Sequence, residues 1–227
     1  MADEDTTALQ DEDGAIFEAV ASDDPSAVDR LLADRPELAW ARDDDDLTPV
    51  MVARYGFSLA ALDRLLAARG DDLDVFEAAA VGRGDLVREA LAADPSLARA
   101  RSVDGFTALH LAAFFGDLDA ASALVEAGAD ENAVSENAMR VRPLHSAAAG
   151  GHTAVCRLLI EHGADVSAVQ RDSFTPLMAA AQNGDAELAE MLLAAGADPS
   201  SRTDDGRSAA DLARDAGHRD LAERLTG

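Results

Sequence analysis

Phe106-Thr107-Ala108-Leu109-His110-Leu111-Ala112-Ala113-Phe114-Phe115-Gly116 reads as one short helix with its start and stop encoded. Thr107 stands where an N-cap belongs, its hydroxyl placed to accept from a free backbone N–H. Leu109, Ala112 and Ala113 have the i, i+3, i+4 spacing of one buried helix face. Gly116 ends the helix. A second helix is predicted over 118–127, with Ala121, Leu124 and Val125 apolar, and Gly128 closes it. The small alanines of the first helix let neighbouring layers approach closely.

Outward from this stretch the pattern repeats. Gly116, Gly151, Gly184 and Gly217 are separated by 35, 33 and 33 residues, and Gly128, Gly163 and Gly196 by 35 and 33. His110, His145, Met178 and Asp211 keep the same intervals. The two extra residues fall between Glu131 and Arg142, which predicts one longer loop there. Self-similarity at a fixed period of this size is the signature of a repeat architecture. In a later unit Thr175-Pro176 places Pro at the first helical position, where no N–H is missed.

The strings Phe-Thr-Ala-Leu-His-Leu-Ala-Ala (106–113), Pro-Leu-His-Ser-Ala-Ala-Ala-Gly-Gly-His (143–152) and Phe-Thr-Pro-Leu-Met-Ala-Ala-Ala (174–181) resemble the ankyrin repeat. So do Ala-Gly-Ala-Asp at 127–130, His-Gly-Ala-Asp at 162–165 and Ala-Gly-Ala-Asp at 195–198. The resemblance implies an all-α, helix-turn-helix solenoid with protruding hairpin loops and about six to seven repeats. Residues 105–205 are the well-formed part. Residues 14–104 are degenerate. Gly14 to Trp40 looks like a first helix pair, and Leu47-Thr48-Pro49-Val50-Met51 opens a unit whose approach to Leu65-Leu66 is about one residue too long. Val75 to Pro95 has Gly84-Asp85 but no Thr-Pro-Leu-His. Residues 206–227 are polar outside, as a C-terminal cap requires. Residues 1–13 are acidic and nonperiodic and are expected to form a disordered tail. No linker rich in Pro, Gly or Ser divides 14–227, so a single array is expected.

Composition narrows the function classes. Nineteen basic residues, all Arg, face 44 acidic ones, a net charge of −25. Phosphate binding draws on a surplus of positive charge, so nucleic acid and anionic lipid are disfavoured as partners. The charge has two readings that stay open: adaptation to high salt, where self-repulsion is screened, or the codon bias of a GC-rich genome, which favours Ala, Asp, Arg and Gly over Lys. Apolar residues make up 48% of the chain, enough for a core, whereas aromatics are only 4%, which suits thin helical layers. The single Cys156 excludes an internal disulfide framework. An acidic start without an apolar run gives no signal peptide, no apolar run reaches the ~18 residues of a membrane span, and a cytoplasmic monomer is expected.

No residue set carries catalysis. His110 and His145 share one repeat position, for which the resemblance implies a structural role bridging hairpin loops. As joint metal ligands they fail on distance, since stacked helices lie ~8–10 Å apart and zinc needs its nitrogens at ~2 Å. Cys156, between Val155 and Leu158-Leu159, reads as a small buried hydrophobe. Asp43 to Asp46 lack the glycine and distal glutamate of a calcium loop and read as a solvated loop. No phosphate-loop lysine and no Gly-x-Ser-x-Gly is present. No metal and no cofactor is expected.

Surface remains. The resemblance implies that hairpin tips and the exposed end of each first helix face a partner. Counting back from the repeat glycines places Phe106, Phe114, Phe115, Met139, Arg140, Arg171, Phe174, Gln182 and Asn183 there. Aromatic, Met and Arg side chains are also what binding hot spots favour. The expected function is a non-enzymatic module that binds a protein partner through its concave face and hairpin tips. The alternative is an accessory or inhibitory subunit that masks the surface of a partner enzyme.

Overall fold

The computed structural model describes residues 14–226, so the acidic stretch 1–13 lies outside the described residues. The described residues form helices and turns without strands. The helices run in pairs: α1 (14–21) with α2 (Pro25–Asp34), α3 (Pro49–Tyr55) with α4 (Leu59–Arg69), α5 (Val75–Val81) with α6 (Gly84–Ala93), and α7 (Ala108–Phe115) with α8 (Leu118–Glu126). They continue as α9 (Pro143–Ala149) with α10 (Thr153–Glu161), α11 (Pro176–Asn183) with α12 (Ala186–Ala194), and α13 (Ala209–Asp215) with α14 (Arg219–Thr226). The chain divides into two compact units, Met1–Glu77 and Ala78–Gly227.

In the second unit first helices stack on first helices, α7 on α9, α9 on α11 and α11 on α13, while α6, α8, α10 and α12 form the row behind. The alanines make this spacing feasible. Ala112, Ala113, Ala147, Ala148, Ala180 and Ala181 are all fully buried, and a Cβ alone occupies the space between two backbones. Leu109, Leu144 and Leu177 beside them are buried as well, each buried leucine contributing roughly 1.5–3 kcal/mol. The N-caps are those the sequence indicates: Thr107 Oγ1 accepts from His110 N, and Thr175 Oγ1 from Met178 N.

Between pairs the chain turns back in short hairpin fingers, each closed by one backbone bond four residues long: Ser102 N to Phe106 O, Gln170 N to Phe174 O and Thr203 N to Arg207 O. In the 131–142 finger the equivalent bond runs from Ser135 N to Val141 O. The closed stretch is longer by the two residues that the glycine spacing requires, and Met139 stands at its exposed tip. Asp43 to Leu47 is a finger of the first unit. Asp43 Oδ1 accepts from Asp45 N and Leu47 N, so its carboxylate is used to shape the turn.

One backbone requirement recurs. The residue just ahead of each second helix's N-cap is left-handed: Gly82, Gly116, Gly151, Gly184 and Gly217, with Asp23 and Phe57 in the first unit. Gly116 has a further reason to be glycine. A β-carbon there would lie 2.4 Å from the His152 ring, which is pinned by its Nε2–H donating to Phe114 O at 3.0 Å. Gly217 is left-handed too, at φ 91°, but nothing lies near its missing β-carbon. Gly217→Ala should therefore cost only the conformational term, ~1–2 kcal/mol, whereas Gly116→Ala should cost at least ~1 kcal/mol more, because the ring must also move. Paired denaturant melts check this, and equal losses would show that the His152 contact carries no weight.

Candidate functional site

Buried histidines fasten each helix to the finger that follows it. His110 and His145 are almost fully buried. A carbonyl can only accept, so His110 Nε2 carries the proton that it donates to Val141 O at 3.1 Å. Its Nδ1 is then free to accept from Thr107 N–H at 3.2 Å and lies 2.8 Å from Thr107 Oγ1. His145 does the same one repeat on, with Nε2 donating to Ala168 O at 3.0 Å. Each ring fastens its helix to the base of the next finger. Burial, the largest cause, holds both imidazoles down at about 4. Cys156 is fully buried and its thiol is pushed up to about 12, chiefly by burial and also by the Asp185 carboxylate.

The fingers are laced edge to edge. Glu136 N donates to Gly105 O, Arg171 N to Met139 O and Asp204 N to Asp172 O. Asn137 Nδ2 reaches back to Asp104 O, and Asn132 Nδ2 forward to Gly163 O. Most finger guanidinium groups are already engaged: Arg101 with Glu136 at 3.0 Å, Arg207 with Asp205 at 2.8 Å, Arg171 with Asp172 at 3.8 Å, Arg99 with Gly128 O. Arg140 is exposed on the longest finger, and its side chain makes no ion pair among the described residues.

Five of the nine residues expected to meet a partner come together. Met139, Arg171, Phe174, Gln182 and Asn183 line one open recess of about 460 Å³ in the second unit, between the 139–141 finger and α11. Met139 is 48% exposed and Phe174 half-buried, and both contribute apolar surface to the recess. Asn183 is less available than its position suggests. Its amide donates to Ala148 O and Ala149 O at 3.1 Å each, tying α11 to the carbonyl end of α9. Arg140 stands beside Met139 without lining the recess. Phe106, Phe114 and Phe115 do not line it either. All three are half-buried: the Phe106 ring leans on His110 at 5.8 Å, and Phe114 and Phe115 meet edge to face at 5.0 Å. Val141, Ala149, Gln170, Asp172 and Ala179 complete the walls. Val141, Asp172 and Ala149 sit at finger-tip and helix-end positions that counting from the repeat glycines reaches, whereas Gln170 and Ala179 lie outside those positions and carry no sequence signal.

The first unit holds a cluster that the sequence reading passes over. Asp74-Val75-Phe76-Glu77 takes the place of Thr-Ala-Leu-His. Asp74 Oδ1 accepts from Phe76 N and Glu77 N as the N-cap, and Glu77 Oε2 accepts from Asp74 N, as His110 Nδ1 does from Thr107 N. Glu77 then receives both Arg69 guanidinium nitrogens, at 3.1 and 2.8 Å, and the Thr48 hydroxyl at 2.6 Å. Arg69 also donates to Ala39 O and Asp72 O and lies 5.1 Å from the centre of the Trp40 ring. The two charged side chains are 4% and 2% exposed. This is a structural pair with its hydrogen bonds satisfied.

Among the described residues no three His, Cys, Asp or Glu side chains gather to hold a metal ion, and no helix is long and apolar enough to cross a membrane. Comparison with known proteins finds the family model described as ankyrin repeats (3 copies) over residues 16–135, 75–170 and 132–203. The rice (Oryza sativa subsp. japonica) E3 ubiquitin-protein ligase XB3 is 41% identical over 86 residues, 37% of this chain and 19% of that protein. The probable E3 ubiquitin-protein ligase XBOS31 of the same plant is 41% identical over 83 residues, 36% of this chain and 18% of that protein. The chain thus spans about a fifth of the length of these relatives. Helix pairs, laced fingers, bridging histidines and the family match agree, and the chain belongs to the ankyrin-repeat family.

Proposed function

We propose that this chain is a non-enzymatic cytoplasmic monomer that binds a protein partner through the concave face and finger tips of residues 106–183. Ankyrin repeats are a protein-interaction module, and the observation that supports this surface is the recess. It joins an exposed methionine, a half-buried phenylalanine and an exposed arginine from consecutive repeats, a composition that binding hot spots favour. Met139 and Phe174 would be buried by the partner, with Arg140 and Arg171 meeting carboxylates at the rim. Phe106, Phe114 and Phe115 flank this centre in the proposal. The ligase activity in the names of the rice proteins is not carried over, because the shared stretch is under a fifth of their length.

The test is affinity purification from the chain's own cells, followed by titration of the recovered partner. Met139→Ser should weaken binding at least tenfold while leaving the melting midpoint within ~1–2 °C, since exposed positions change stability by under ~0.5 kcal/mol. Adding Phe174→Ser should weaken it further. Glu187→Ala on α12, whose carboxylate only meets Arg157 at an exposed 3.3 Å pair, should leave affinity unchanged. Normal binding by the folded Met139→Ser, Phe174→Ser protein would remove the recess from the interface.

A further inference from the structure

Phe57 occupies a position where every unit from α5 onward has glycine. Its φ is 55°, a conformation in which the β-carbon of a bulky residue crowds its own backbone. The turn holds it there: Phe57 N donates to Arg54 O, Ser58 N to Ala53 O and Leu59 N to Phe57 O. Burial gives nothing back for the strain. The Phe57 side chain is the most exposed large hydrophobic among the described residues, at 62%, and Leu59, two residues on, is 55% exposed. Neither backbone preference nor packing accounts for an aromatic at this place, and strained residues of this kind gather at functional surfaces.

We propose that Phe57 and Leu59 form a second docking knob, in the first unit, that inserts into an apolar socket rimmed by Lys or Arg on a basic protein partner. The charge around the knob sets the rim. Asp23 Oδ1 accepts from Ala61 N at 2.8 Å, which puts its carboxylate at the head of α4 beside Leu59. Asp24 follows it in sequence. Asp63 lies four residues after Leu59 and so on the same helix face. Residues 14–77 carry fifteen carboxylates against six arginines. A second copy of the chain is the wrong occupant, because it would bring one net charge of −25 against another. The knob is separate from the recess, whose lining residues all belong to the second unit.

A photo-crosslinking p-benzoylphenylalanine at position 57 of the full chain, expressed in its own cells, identifies the occupant. The peptide joined to it should carry apolar residues flanked by Lys or Arg. Binding of that captured partner to Phe57→Gly and to Leu59→Asp should fall at least tenfold. Phe57→Gly should also raise the melting midpoint of the free protein by about 2–4 °C, because glycine accepts the turn without strain. A lowered midpoint would mean the ring packs against the fold. Unchanged binding by Phe57→Gly, a crosslink to an acidic peptide, or a crosslink to a second copy would each overturn the proposal.

Discussion

Glu77→Ala should destabilise the first unit by about 3–5 kcal/mol, the usual cost of leaving one member of a buried ion pair without its partner. The magnitude follows from what the carboxylate satisfies. It takes two Arg69 nitrogens and the Thr48 hydroxyl, all buried, and the part-buried Asp74 N–H. Removing it orphans a guanidinium that keeps only the Ala39 and Asp72 carbonyls and the Trp40 face. Amide exchange in α3 and α4 should accelerate by two orders of magnitude or more, since ~3 kcal/mol is over a hundredfold in the opening equilibrium. Replacing both partners with apolar groups of similar size, Arg69→Met with Glu77→Leu, should recover most of the loss, because the pair must repay its own desolvation. A small effect of Glu77→Ala would mean that water reaches Arg69.

Acid should weaken the repeats through His110 and His145. Both rings are neutral in the fold, with Nδ1 accepting a backbone N–H, so protonation would set two donors against each other. Their folded pKa is lowered to about 4 from an ordinary 6.5. The unfolded chain therefore binds protons first. Their contribution is complete above pH 6.5 and is lost as pH falls from 6.5 to 4, by about 2 kcal/mol per ring at pH 5 and about 3 at pH 4. Carboxylates with ordinary pKa values titrate mostly below pH 5, so the window from 6.5 to 5 isolates the histidines. Urea midpoints should fall across it, and the ring resonances of His110 and His145 should still report neutral imidazole at pH 5. Rings that are charged at pH 5 would contradict the buried bridges.

Where residue type alone sets geometry, the sequence was readable. Thr107 and Thr175 cap, the repeat glycines turn, and the histidines bridge, because each is the residue whose chemistry the place demands. The longer 131–142 finger was readable too, as a two-residue offset between glycines. Glu77 is not legible in this way because its unit replaces Thr-Pro-Leu-His with Asp-Val-Phe-Glu. Asp74 followed three residues later by Glu77 is itself a capping signature, but that the carboxylate also serves Arg69 depends on distance in space. Phe57 is not legible either, because the extra residue before Leu65 shifts the register and hides that an aromatic fills the glycine position. Counting repeat positions named five residues of the recess. It also named Phe106, Phe114 and Phe115, whose rings spend much of their surface on neighbouring side chains, a choice of rotamer that position counting does not contain.

The most direct test of the binding reading is hydrogen exchange on the chain alone and with its purified partner. Slowed exchange is predicted over 139–142, 171–174 and 182–183, the finger tips and helix end that form the recess. Slowing confined to α8, α10 and α12, with those three stretches unchanged, would contradict it.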